Sequence, residues 1–185
     1  TNFIDESTCR RIIDESVSAT SGPATVYGQS NSGAVNDRVR KTTRFQPSSQ
    51  TKELITERLL EYKPAIERHF QISLRDCEEP QFLRYDVGDF FVAHQDGNTG
   101  LVRLASDAHR KISITLFLNQ QTDQPLPRTF SGGSLKFSDY RAEPAYREFV
   151  LTAEPGLLVA FRSETTHEVT PITTGARYSI VTWYR

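Results

Sequence analysis

From Pro80 to the carboxy terminus the chain is a succession of short apolar or alternating runs separated by turn residues, and that rhythm restricts what it can fold into. Gln81-Phe82-Leu83-Arg84-Tyr85 reads as a strand, Asp86-Val87-Gly88-Asp89 as a turn, and Phe90-Phe91-Val92-Ala93 as a second strand that ends at His94. Further on, Glu154-Pro155-Gly156 marks a turn and Leu157 to Phe161 is a short apolar run of buried-strand type. Ser163-Glu164-Thr165-Thr166 is a polar turn before His167, and Pro171 opens another turn. The last run, Arg177-Tyr178-Ser179-Ile180-Val181-Thr182-Trp183-Tyr184, alternates so that Arg177, Ser179, Val181 and Trp183 share one face. There is no internal repeat and no low-complexity tract, so an antiparallel two-sheet barrel is expected.

The first part of the chain reads differently. Asp5-Glu6-Ser7 caps a helix expected to run to about Ala19, with Cys9, Ile12, Ile13, Ser16 and Val17 forming a partly apolar stripe. Ser21-Gly22-Pro23 reads as a loop, Ala24 to Tyr27 as a strand fragment, and Gly28 to Gly33 as a polar, mobile segment. Asn36 to Phe45 carries Arg38, Arg40, Lys41 and Arg44, a cluster that suits a solvated edge strand protected by charge. A second helix is expected from Gln50 to about Phe70, its stripe of Leu54, Ile55, Leu59, Tyr62, Ile66 and Phe70 backing the sheet, with Pro64 a break or kink.

Composition excludes several classes. The 22 basic and 23 acidic residues leave a net charge of −1, without the basic stripe of a nucleic-acid binder. Cys9 and Cys77 are too few and too distant for a disulfide framework, which fits a reducing, cytoplasmic compartment. No apolar run is long enough to cross a bilayer, and no secretory signal pattern is present. The first residue is Thr1 rather than a methionine, which suggests a trimmed start and leaves room for a lost targeting segment.

Against that scaffold stand His94, Asp96, His167 and Arg177. Two neutral imidazoles and one carboxylate on one face of an octahedral metal describe the facial triad of non-haem iron(II) oxygenases, and three coordination positions are left open. A bidentate 2-oxo acid fills two and dioxygen the third, while the Arg177 guanidinium clamps a far carboxylate through a forked, charge-assisted pair. Each residue alone has a plainer reading: either histidine as a satisfied core or turn residue, Arg177 as an exposed edge charge. Only the joint spacing favours the metal. His69, at a helix end, and His109, beside Arg110 and Lys111, are read as structural or solvated.

The chain resembles the iron(II)/2-oxoglutarate-dependent dioxygenases, and among them the prolyl 4-hydroxylase branch, including the oxygen-sensing prolyl hydroxylases. The likeness is densest in Phe82 to Tyr85 and on to His94-Gln95-Asp96, in Arg110 to Asn119, in Gly132-Gly133-Ser134-Leu135, and in His167-Glu168-Val169 through Arg177 to Tyr184. It implies a mainly β fold, a double-stranded β-helix (jelly-roll, cupin-like) core packed by amino-terminal helices. The length of 185 residues suggests one domain over 1–185, and the resemblance divides it into 1–79 as helical support and mobile substrate loop and 80–185 as the catalytic barrel.

Residue by residue, the resemblance assigns His94, Asp96 and His167 to iron(II) and Arg177 to the distal carboxylate of 2-oxoglutarate. Tyr85 matches a pocket tyrosine and Trp183 an aromatic near the substrate mouth. Where the oxygen-sensing enzymes have a tyrosine reaching that carboxylate, this chain has Phe117, and Thr115, on the same strand face, is the replacement donor. Dioxygen is the co-reactant and ascorbate the reductant. The basic segment corresponds to a loop that folds over a peptide, so Arg38 and Arg40 are expected to favour a substrate with acidic flanks. Three functions stand at this level: hydroxylation of a prolyl residue in a protein or peptide with release of succinate and carbon dioxide, hydroxylation of a free amino acid or small metabolite, and metal binding by a barrel without turnover. The nucleic-acid demethylases that share this metal site carry a second arginine where this chain has Trp183.

Overall fold

Asp5 begins the first helix as its chemistry requires, its carboxylate accepting from the Thr8 N–H at 2.7 Å. The computed structural model describes residues 2–24, 36–97, 109–124, 126–139, 143–144 and 147–185. Helix α1 (Glu6–Ser18) buries Cys9, Ile12 and Ile13. Helix α2 (Ser49–Phe70) is capped by the Ser48 hydroxyl and buries Thr51, Ile55, Leu59 and Ile66. Pro64 neither breaks nor ends it: the residue is exposed, so the hydrogen bond it cannot make is lost on the solvent side. Gln71 closes α2 in the left-handed conformation at φ 53°, its N–H donating to Glu67 O.

The strands follow in chain order as β1 (Ser21–Pro23), β2 (Arg40–Lys41), β3 (Thr43–Phe45), β4 (Gln81–Tyr85), β5 (Phe90–His94), β6 (Ile112–Phe117) and β7 (Phe130–Gly132). They continue as β8 (Leu135–Ser138), β9 (Glu148–Leu151), β10 (Leu158–Arg162), β11 (Thr166–Val169), β12 (Ile172–Gly175) and β13 (Arg177–Tyr184). One antiparallel sheet runs β1-β3-β4-β13-β6-β10 and another β2-β5-β11-β8-β9, with β12-β7 as a separate pair. This is the mainly β, two-sheet barrel with flanking helices that the strand rhythm requires.

Alternation divides the core in two. Phe82, Ile112, Ile114, Leu116, Ile180 and Tyr184 point from the six-stranded sheet to α1 and α2, where the Tyr184 hydroxyl donates to Leu59 O at 2.6 Å. Leu83, Tyr85 and Phe117 point the other way and meet Leu135, Val169 and Ile172 between the sheets. Strand β6 is buried along its whole length because both faces are covered.

Ser21-Gly22-Pro23 forms a strand rather than the expected loop. It adds to β3 at the sheet edge, where a proline without an N–H forfeits no ladder bond. Residues 25–27 of the expected strand fragment and the whole Gly28–Gly33 segment lie outside the described residues. Arg40 and Arg44 belong to short strands, but the solvated-edge reading of the basic cluster fails for both: Arg40 is buried on the edge strand β2, and Arg44 lies on β3, which is flanked by β1 and β4. Among the described residues, no helix is long and apolar enough to cross a membrane.

Glu15 ties the two helices together. Its carboxylate accepts from Ser48 N at 2.8 Å and from the Thr51 hydroxyl at 2.7 Å, so it secures the first turn of α2 from α1. Burial works to raise this carboxyl, but the hydrogen bonds from Thr51 and Ser48 and the charge of Arg11 outweigh it and hold the group below its ordinary value of 4.5. A depressed folded-state value contributes stability above the unfolded-state value, and that stability is lost as pH falls through the folded one. Glu15→Gln should therefore lower the unfolding free energy by about 1 kcal/mol near neutrality. Urea titrations across pH should show the gap to wild type closing below about pH 4.5; an equal gap in acid would remove the ionised tie.

Candidate active site

The triad forms by strand register. Strand β5 pairs with β11 so that His94 stands directly opposite His167, with ring centroids 4.2 Å apart. Each ring is held by its Nδ1, against Val92 O at 2.8 Å for His94 and Thr165 O at 3.0 Å for His167. A backbone carbonyl accepts only from N–H, so the proton belongs on Nδ1 and the Nε2 lone pair faces inward. There Nε2 of His94 lies 3.5 Å from one carboxylate oxygen of Asp96, and Nε2 of His167 3.5 Å from the other. Ligands about 2.1 Å from a common metal lie about 3 Å apart when adjacent, so a modest inward shift fits an ion. Among the described residues, this is the group of histidine, cysteine and acidic side chains whose donor atoms, all within 4.8 Å of one another, can hold a metal.

Charge at the cluster favours a cation. Burial lowers the His167 imidazole to about 4, with His94 adding to the effect and Asp96 opposing it, so the ring is a neutral donor near pH 7. Burial works to raise Asp96, yet its closeness to the His94 and His167 rings and a hydrogen bond from Trp183 hold it well below the ordinary carboxylate range. Phe91 stacks on His94 at 3.6 Å between centroids, and Phe161 meets the His167 ring edge-on at 4.7 Å. These aromatic walls fix both rings.

Asp96 is supported from behind by a layered contact. The Trp183 side chain hydrogen-bonds the carboxylate. The Arg110 guanidinium lies 3.7 Å from the Trp183 ring centroid, and Glu78 grips that guanidinium at 2.9 and 2.8 Å. Gly97 lets the next turn close: its N–H donates to Ser163 O at 2.7 Å, and a Cβ there would stand 2.8 Å from that of Ser163.

At the other end of β13 lies Arg177, 1% exposed. Its Nη1 donates to the Ser179 hydroxyl at 3.1 Å, its guanidinium faces the rings of Tyr85 and Phe117 at 5.0 and 5.1 Å, and its Nε has no partner. Burial pushes this group down from its ordinary value and the Arg40 charge adds to that, while Tyr85 opposes both through charge and a hydrogen bond. Among the described residues no carboxylate pairs with it. Gly133, at φ 59°, shapes the space beside it, since a Cβ there would lie 3.3 Å from the Arg177 Cδ and 2.2 Å from Ile172 Cδ1.

One cavity joins these ends, lined by His94, Asp96, His167, Tyr85, Thr115, Arg40, Arg177 and Trp183 among others. It thus gathers all but one of the residues singled out in the sequence. Arg38 is the exception: it sits exposed on a turn and does not line the cavity. Trp183 is largely buried and touches Asp96, rather than standing only at a mouth. His69 packs on Phe70 and His109 is exposed, both away from the cluster. Sequence reasoning missed Arg44, Arg110 and Gln81, which also line the cavity. Alternation along Gln81-Phe82-Leu83-Arg84-Tyr85 was the available signal for Gln81, since Tyr85 shares its face.

Residues 80–185 match the family model described as the 2OG-Fe(II) oxygenase superfamily. A PKHD-type hydroxylase of Synechococcus sp. is 29% identical over 160 residues, covering 80% of this chain and 62% of that protein. Another, from Acinetobacter baylyi, is 36% identical over 105 residues, covering 56% of this chain and 41% of that protein. The chain thus spans less than two thirds of the length of either relative. A prolyl-4-hydroxylase of Pseudomonas putida superposes with a TM-score of 0.72 at 23% identity, over 100% of this chain and 89% of that one. The prolyl hydroxylase of Trichoplax adhaerens, in complex with a hypoxia inducible factor oxygen degradation domain peptide fragment, superposes at 0.69 with 17% identity, over 100% and 80%. Those structures share the jelly-roll core, and since the family match takes in more than half of the residues, this chain belongs to the 2OG-Fe(II) oxygenase superfamily.

Proposed function

We propose that the chain is an iron(II)- and 2-oxoglutarate-dependent hydroxylase acting on a prolyl residue of a protein or peptide. The observation that carries the cosubstrate is Arg177, a cation buried in the cavity of the His94, Asp96 and His167 cluster with no carboxylate to neutralise it among the described residues. A buried, unpaired guanidinium is costly, and a ligand carboxylate removes that cost. The prolyl substrate is supported by the hydroxylase relatives and by the fold neighbours, one of them holding a peptide fragment.

His94, Asp96 and His167 would hold iron(II), which together with 2-oxoglutarate and dioxygen supplies the chemistry: one oxygen atom enters a carbon–hydrogen bond, the other enters succinate, and carbon dioxide leaves. The protein's own part is placement. Arg177 binds the distal carboxylate, with Ser179 fixing its Nη1 and Tyr85 bracing it. Phe117 offers a ring but no hydroxyl, so Thr115, two residues earlier on the same face, is the candidate for the second hydrogen bond. Trp183 orients Asp96 and walls the substrate side. Arg40 contacts substrate from within the cavity and Arg38 from the exposed turn. Ascorbate serves as reductant, and the two free thiols suit a reducing, cytoplasmic setting.

His94→Ala, Asp96→Ala and His167→Ala should each nearly abolish iron(II)-dependent succinate formation while leaving the circular dichroism spectrum intact. Normal turnover of any one at limiting iron would remove that residue from the triad.

Arg177→Ala exchanges a buried charge-assisted pair worth ~3–5 kcal/mol for none. The apparent Michaelis constant for 2-oxoglutarate should then rise by about two orders of magnitude or more, and direct titration of 2-oxoglutarate into the manganese(II)-loaded protein should show the same loss. An unchanged constant would falsify the assignment. The substrate is tested by mass spectrometry of peptide and metabolite panels incubated with iron(II), ascorbate and 2-oxoglutarate. Gain of one oxygen on prolyl peptides is expected; oxidation confined to free metabolites would overturn the peptide reading.

A further inference from the structure

The cavity holds more positive charge than the proposed reaction uses. Arg40, Arg44, Arg110 and Arg177 all line it, and Asp96 is the carboxylate among its lining residues. In the proposed reaction Asp96 faces the metal and Arg177 takes the distal carboxylate of 2-oxoglutarate, while Arg110 is already paired with Glu78 at 2.8 Å. Arg44 has no role in balancing those charges.

Arg44 and Arg40 both come from one short crossing between the sheets. Strand β2 sets Arg40 opposite Phe91 in the smaller sheet, and β3 sets Arg44 opposite Leu83 in the larger one. Between them the Thr42 hydroxyl donates to Arg84 O at 2.8 Å and pins the crossing. Arg40 lies over the Phe91 ring at 4.9 Å and is 7% exposed. Arg44 is half-buried; its Nε is shielded from water without a hydrogen-bond partner, and among the described residues it makes no ion pair. A donor stripped of water and left without an acceptor is unfavourable until a ligand supplies one.

Register separates this site from the one at Arg177. Leu83 pairs with Arg44 on one side and with Ser179 on the other. Arg44 therefore stands two strands across from β13, about 10 Å away. It is also one same-face step from Arg177 toward Trp183 and the metal end. An anion at Arg44 is thus distinct from a carboxylate held by Arg177.

Resting on the hydroxylase reading above, we propose that Arg44, aided by Arg40 from the other sheet, is a second anion site that receives a carboxylate of the substrate: an aspartyl or glutamyl side chain flanking the reacting prolyl residue. The site selects acidic sequences because a carboxylate both accepts from the buried Nε of Arg44 and balances its charge. A neutral amide offers that donor an acceptor but no charge to balance the guanidinium.

The test exposes the whole chain to short peptides with a central proline and random flanks, read in two ways. Retention is measured on protein loaded with manganese(II) and 2-oxoglutarate, and gain of one oxygen is measured with iron(II). Asp and Glu should be enriched about tenfold over Asn and Gln in both fractions. Arg44→Gln should bring the ratio close to one, and Arg44→Lys should keep most of it, an outcome that a merely structural role would not produce. No acid enrichment among retained peptides, or enrichment that survives Arg44→Gln, would overturn the proposal. Acid-selective retention lost in Arg44→Gln but without any oxygen gain upholds the anion site and removes the prolyl reaction. Oxygen gain without acid preference does the reverse.

Discussion

The pairing of β5 with β11 is the constraint on which the rest of the site depends, because it sets His94 against His167 across one ladder. Side chains alternate along a strand, so a slip of one residue would send one imidazole to the opposite face and leave Asp96 with a single partner. The register shift between His167 and Val169 lies just beyond this pair in the ladder, while the two Nδ1 contacts to backbone carbonyls hold the rings against rotation. Backbone and side chain thus specify the same geometry twice.

Strand β13 carries that geometry to the far end of the cavity. Trp183 meets Asp96 at one end and Arg177 waits at the other, with Val181 between them on the cavity wall. One well-paired strand therefore fixes the separation between donor cluster and buried cation, paired with β4 from Arg177 to Val181 and with β6 from Ser179 to Tyr184. A dianion with charges at its two ends is measured by such a ruler. The helices line no part of the cavity; α1 and α2 cover the opposite face of the same sheet and shield it from water.

Much of this was legible in the sequence because it depends on local pattern. Turn residues at Asp86-Val87-Gly88-Asp89 and Glu154-Pro155-Gly156 delimit strands, and alternation from Arg177 to Trp183 assigns a face. The helices were equally readable, since caps and apolar stripes are local. What pattern cannot give is partnership across distance. Nothing near Arg110 announces Glu78, and nothing near Arg44 announces a cavity, because both follow from which strands pair. Ser21-Gly22-Pro23 misled for the same reason: Gly and Pro signal a loop locally, yet an edge next to β3 accepts them. Arg38 and Arg40 looked equivalent, two residues apart in one basic run, but strand β2 begins between them and only Arg40 turns inward.

Phe117 shows how one change redistributes work in such a cavity. A tyrosine at that position would offer a hydroxyl to an anion held by Arg177; the phenylalanine keeps only the ring face, 5.1 Å from the guanidinium. Ring contact stabilises the cation whether or not an anion is present, whereas a hydroxyl would act only on the anion. The chain therefore secures Arg177 through Tyr85, Phe117 and Ser179, and in the proposed reaction recognition of the carboxylate falls to the guanidinium and a neighbouring hydroxyl. Thr115 sits on the same face, opposite Val181 and two residues from Phe117, which is why the proposed reading turns to its hydroxyl for the hydrogen bond that Phe117 cannot make.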